Sequence, residues 1–158
     1  MRNFLISKSN DAIAFPAGFI DEITNIILSD TPKLVVFSGQ PGVGKTEAVK
    51  AVIKQVNVEA QNIQTITSLN LAGADYQAGI ASAVESASAL PQVKDSLNIV
   101  VWDEVRGDES EFEAVDQLIS KGYTVIVAIQ EAGAFDKHDK SNFANLTECQ
   151  GGIEEFAA

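Results

Sequence analysis

Cysteine, histidine and arginine are scarce in this chain. Its 158 residues include one Cys, Cys149, and one His, His138. A lone thiol excludes an internal disulfide, and one Cys with one His falls short of a usual zinc site. No chemical role is expected of either residue, so any metal chemistry has to rest on carboxylate, hydroxyl and phosphate oxygens. Arginine occurs only at Arg2 and Arg106. Long hydrophobic runs are missing too: Leu34 to Phe37 and Thr124 to Ile129 are strand-sized, against the roughly 20 residues of a membrane-spanning helix. The start, Met1 to Lys8, has no apolar core followed by a small-residue cleavage site, as a signal peptide would. The cytoplasm is the expected location, or the host cytoplasm or virion for a viral chain. Positive charge is the last shortage. Lys plus Arg number 11 against 22 Asp plus Glu, for a net charge of −11, which argues against a broad basic surface for nucleic acid.

A hydrophobic content of 46% is too high for a disordered chain and suits one domain with a core. No repeat or linker divides it, so residues 1–158 are expected to form a single domain: a lead-in and helix at 1–32, a core at 33–131 and a tail at 132–158. Continuous apolar runs at 33–38, 98–102 and 123–129 predict strands buried on both faces. Weaker strands are predicted at 3–7, 62–66 and 143–146. Helical spacing marks 16–29, 45–56, 75–90 and 109–120, with Pro91 and Gly122 as stops. Strands alternating with helices predict an α/β fold, a three-layer sandwich around a mainly parallel sheet.

The strongest motif is Gly39-Gln40-Pro41-Gly42-Val43-Gly44-Lys45-Thr46, a complete G-x-x-x-x-G-K-[ST] between a buried strand and an amphipathic helix. Glycines let backbone N–H groups converge on phosphate oxygens, and the helix N-terminus adds partial positive charge. Lys45 is expected to neutralise the terminal phosphates and Thr46 to ligate Mg2+, with residues 39–46 and the adjoining Glu47 forming the ATP site. A second motif, Ile99-Val100-Val101-Trp102-Asp103-Glu104, ends an apolar strand in two carboxylates. Asp103 is placed to hold Mg2+, and Glu104 to activate the attacking water. Gln130 ends the following strand, where a polar side chain can sense the γ-phosphate or that water.

An Asn-Lys-x-Asp guanine-reading motif is absent. Two arginines are few for a small-molecule kinase, which clamps two phosphorylated substrates. Hydrolysis that drives motion is therefore the leading reading, a nucleotide-binding switch or scaffold with little turnover the alternative, and a kinase the third.

These motifs resemble the P-loop ATPase division in which a catalytic glutamate follows the Walker B aspartate and an additional strand separates the Walker A and Walker B strands. The division includes AAA+ proteins, RecA-like motors, DNA-translocating and packaging ATPases, and type II/IV secretion and type IV pilus ATPases. By this resemblance the fold is a P-loop NTPase core, and residues 62–66 supply the additional strand. Asp103-Glu104-Val105-Arg106-Gly107-Asp108-Glu109 is similar to the Gly-Glu-[Ile/Val]-Arg-[Asp/Gly]-x-Glu segment of the secretion and pilus ATPases. That similarity implies Glu104 as the catalytic acid and Arg106 as a phosphate-sensing or subunit-contact residue. The histidines of that family are replaced by Tyr123 and Gln130, and its acidic pair by Thr67-Ser68. A strand-end glutamine is instead similar to DNA-pumping ATPases. The resemblance further implies a homo-oligomer, such as a hexameric ring, with nucleic acid or protein as cargo.

Overall fold

The computed structural model describes residues 2–9, 12–29, 33–60, 62–69, 76–89, 96–130, 135 and 142–148. Pro91, His138, Cys149 and most of the tail expected at 132–158 lie outside these residues. The elements run β1 (Arg2–Ser9), β2 (Ala12–Ala14), α1 (Phe19–Leu28), β3 (Leu34–Ser38), α2 (Lys45–Glu59), β4 (Ile63–Leu69), α3 (Tyr76–Ser88), β5 (Leu97–Val105), α4 (Glu109–Ser120), β6 (Thr124–Ile129) and β7 (Phe143–Glu148). Helix α1 begins at Phe19, the first residue of its apolar spacing, rather than at Pro16, because Pro16 enters a turn in which its carbonyl accepts the Phe19 N–H.

The strands form one sheet in the order β2-β1-β7-β3-β6-β5-β4. Every neighbouring pair is parallel except β1 with β2. The additional strand between the strands of the two motifs, β3 and β5, is β6. The 62–66 segment expected there belongs to β4, at the far edge beside β5. Local sequence marks a strand but not its place in the sheet. All six residues of β6 are buried, as an interior strand requires, whereas β4 carries Gln64, Thr65, Thr67 and Ser68, a composition an edge tolerates.

Continuous apolar runs are explained by cover on both faces. Val35 and Phe37 of β3 join one core cluster with Phe19, Ile23 and Ile27 of α1 and Ala48, Val49, Val52 and Val56 of α2. Leu34 and Val36 face the other way, into a cluster with Ile80 of α3 and Ala114, Val115 and Leu118 of α4. The result is a three-layer α/β sandwich.

Two features of this sheet build the site. After β3 the chain crosses to the β4 edge, returns through β5 and β6 to one side of β3, and then places β7 on its other side. Strand order therefore reverses at β3, and the crevice outside the carboxyl ends at such a point is where α/β sheets bind ligands. The second feature is a β-bulge in β5. Trp102 pairs with Val127 and Val105 with Ile129, so Asp103 and Glu104 together oppose Ala128. The extra residue resets the alternation, and Val105 packs in the same cluster as Trp102 although the two are three positions apart.

Candidate nucleotide-binding site

Residues 39–44 leave the buried end of β3 and turn into α2, whose N-cap Gly44 has φ 116°. The loop enters against backbone on both sides. Gly39 N–H donates to the Gln130 carbonyl at 3.3 Å. A Cβ built on Gly39 would lie 2.5 Å from the backbone oxygen of Leu146 in β7, so only glycine fits there. Val43 is buried beneath the loop and donates its N–H to the Gln40 carbonyl. The first turn of a helix leaves N–H groups without acceptors inside the helix. Here that turn is Lys45-Thr46-Glu47, with the first intrahelical bond from Ala48 N–H to the Gly44 carbonyl at 2.9 Å. The sequence and the backbone thus assemble a helix start of the kind suited to anions.

A cavity of about 490 Å³ opens at this point. Pro41, Gly42, Gly44, Lys45, Thr46 and Glu47 line it from the loop and helix, Asp103 and Val105 from β5, and Ala128, Ile129 and Gln130 from the end of β6. Lys45 Nζ donates to the Gly39 carbonyl at 2.6 Å and the Gln40 carbonyl at 3.1 Å, which holds the ammonium group across the loop. Thr46 Oγ1 donates to Asp103 Oδ2 at 2.8 Å, joining residues 57 positions apart. Gln130 is exposed at the mouth.

The structure therefore brings together Pro41, Gly42, Gly44, Lys45, Thr46, Glu47, Asp103 and Gln130 of the residues singled out by sequence. Gly39, Gln40 and Val43 shape the loop without lining the cavity. Glu104 is described by its backbone alone, in the bulge beside Asp103. Arg106 is exposed and does not line the cavity. It lies in a turn with Gly107, whose φ is 96°.

Two of the residues that sequence reasoning did not single out are informative. Ile13, from the short β2, lines the cavity, and its Cδ1 lies 3.4 Å from a Cβ built on Gly44. A three-residue strand has too little pattern to be seen in sequence. The other is Glu111, whose carboxylate is completely buried under the turn that follows Glu104. Its signal was available in Asp108-x-x-Glu111, the spacing of a capping box.

The model of the AAA family, described as ATPase family associated with various cellular activities, matches residues 35–142, more than half of the chain. The chain belongs to the AAA family. The family is described as one of ATPases, and the matched region spans the phosphate loop, the acidic pair and Gln130. No curated protein matches this AAA chain. Among solved structures it is similar to one titled "Structure of Drosophila ORC bound to DNA", at 15% identity and a TM-score of 0.44, over 82% of this chain and 38% of that one. The AAA chain thus spans well under half the length of that protein. Among the described residues no helix is long and apolar enough to cross a membrane.

Proposed function

We propose that residues 1–158 form one AAA ATPase domain that hydrolyses ATP with Lys45, Thr46, Asp103, Glu104 and Gln130, and that it works as a subunit of a ring-forming motor. The observation that carries this reading is the 2.8 Å bond from Thr46 to Asp103 inside the cavity that Lys45 and Gln130 also line. It joins the helix after the phosphate loop to the acidic strand two places away in the sheet.

Residues 39–47 would hold the phosphates through backbone N–H groups, with Lys45 exchanging its loop carbonyls for phosphate oxygens. The hydroxyl of Thr46 and the carboxylate of Asp103 form a hard-oxygen donor pair suited to Mg2+, and they would hold it. When bound, Mg2+ neutralises charge on the β- and γ-phosphates. Glu104 would take a proton from the water that attacks the γ-phosphorus, as the bond to the ADP oxygen breaks. Gln130 would orient that water or report the γ-phosphate through the end of β6.

Arg106 supports assembly. It is exposed and outside the cavity, so its guanidinium suits a phosphate or a carboxylate on a neighbouring copy better than the nucleotide of its own chain. Trans-acting arginines of this kind accelerate phosphoryl transfer by roughly 10³–10⁵ in well-studied systems. The cargo would be nucleic acid or protein, in the cytoplasm. ATP turnover measured with particle size, with and without DNA or RNA, tests this reading. Lys45→Ala is expected to lose ATP binding and turnover, and Arg106→Ala to bind ATP but lose assembly-dependent turnover. Hydrolysis that survives Lys45→Ala would refute the site, and a particle that stays monomeric with ATP and polymer would refute the ring.

A further inference from the structure

We propose that Glu111 is a positioning residue for ATP hydrolysis: its buried carboxylate fixes the turn after the acidic bulge and so holds Glu104 and Arg106 in place. The inference rests on Glu104 being the catalytic base.

Glu111 is in the first turn of α4 and has no exposed surface. A carboxylate is rarely removed from water so completely unless polar groups compensate it. Its two oxygens are used separately. Oε1 accepts the Asp108 N–H at 2.7 Å, and Oε2 accepts the Arg106 N–H at 2.9 Å. The first bond is the return half of a capping box, which satisfies the N-cap N–H of a helix. The second is not required by capping, because Arg106 lies two residues before the N-cap. One carboxylate thus spans a turn closed by Gly107, and a charged acceptor makes both bonds stronger than neutral ones.

The position of this turn gives the clamp its consequence. Asp103 and Glu104 are the bulged residues, and a bulge interrupts the ladder that would otherwise hold them. They are anchored upstream by the pairing of Trp102 with Val127. Downstream the anchor is the pairing of Val105 with Ile129, followed at once by the Glu111 clamp. The clamp therefore substitutes on one side for the interrupted ladder. Through the Arg106 N–H it also ties α4 to the turn that follows the acidic pair, by a hydrogen bond as well as by packing.

Loss of the clamp should affect turnover rather than nucleotide binding, since the phosphate loop, Lys45 and Thr46 are carried by β3 and α2. For Glu111→Gln, which retains one acceptor and turns an amide N–H₂ toward the second N–H, kcat is expected to fall roughly tenfold to a hundredfold, the scale of a misplaced catalytic group. ATP affinity should stay within about twofold, as for sites that share no partner. Asp108→Ala is the control for capping, since it removes the N-cap side chain but leaves both acceptors of Glu111, and its kcat should match the parent. The experiment measures kcat, KM, ATP affinity and melting temperature of these variants beside Glu104→Gln. Amide hydrogen exchange in the parent protein adds a readout that does not require a variant to fold. Arg106 and Asp108 should exchange as slowly as the interior of β5. Fast exchange at both amides, or a parent-like kcat in Glu111→Gln, would overturn the inference. So would equal loss of kcat in Asp108→Ala and Glu111→Gln. If Glu104→Gln keeps full turnover, the assignment of the base fails instead, and the exchange result still decides whether the clamp exists.

Discussion

Replacing Gly39 by alanine tests whether the phosphate loop is set by backbone packing against β7. The added Cβ would meet the Leu146 carbonyl oxygen at 2.5 Å and Val43 Cγ1 at 2.9 Å. The first contact is roughly 0.9 Å short of an ordinary one. The Val43 side chain can yield, but the Leu146 backbone is held firmly. Phe4 of β1 pairs with Leu146, and the neighbouring Asn145 accepts a hydrogen bond from Ser38 Oγ at 3.1 Å and donates one to Asn3 Oδ1 at 3.0 Å. The loop is therefore the part that moves, carrying the Gly39 N–H away from the Gln130 carbonyl. Overpacking of this kind costs about 1–3 kcal/mol of stability. A displaced loop should also lose at least about 1.4 kcal/mol of ATP binding, a tenfold rise in Kd. Urea unfolding and nucleotide titration measure the two effects. Gly18→Ala is the control. Its φ is 79° but a Cβ there meets nothing within 4 Å, so it should cost roughly 1–2 kcal/mol from the left-handed backbone alone, with ATP affinity unaltered. Parent-like ATP affinity in Gly39→Ala would refute the reasoning.

Other outcomes follow from the same geometry. Thr46→Val keeps the volume of Thr46 but removes the hydroxyl that bonds Asp103, so the Mg2+ concentration for half-maximal turnover should rise at least about tenfold, while metal-free ATP binding changes little; a Mg2+ titration of hydrolysis checks this. Burial raises the phenol pKa of Tyr123 above its ordinary value of 10.0. Because the folded pKa is the higher one, the stability linked to this proton is complete below pH 10 and declines as pH rises through the folded value. Ultraviolet titration should show one phenol ionising late, and Tyr123→Phe should remove that component and flatten the alkaline fall in stability.

Much of this site was legible in the sequence because its parts are short and chemically constrained. The phosphate loop requires glycine where backbone approaches backbone, as at Gly39, and lysine and threonine at fixed spacing. The apolar runs of β3, β5 and β6 record burial on two faces. Sheet order was not legible. Nothing local in residues 62–66 or 124–129 says which strand lies beside β3, since that is decided by crossovers and by what each strand can bury. The bulge left a trace: Trp102 and Val105 are apolar at a spacing of three, with two acids between, which a regular strand would place on opposite faces. Ile13 left none, because a three-residue strand gains its position from β1 rather than from its own pattern.

The central claim is that the carboxylate next to Asp103 performs the chemistry while the phosphate loop performs the binding. Single-turnover ATP hydrolysis and equilibrium ATP binding by Glu104→Gln, measured on one preparation, test it most directly. The account predicts binding within about twofold of the parent and a hydrolysis rate lower by about 10² or more, the scale of a lost general base. Undiminished hydrolysis in Glu104→Gln would contradict it.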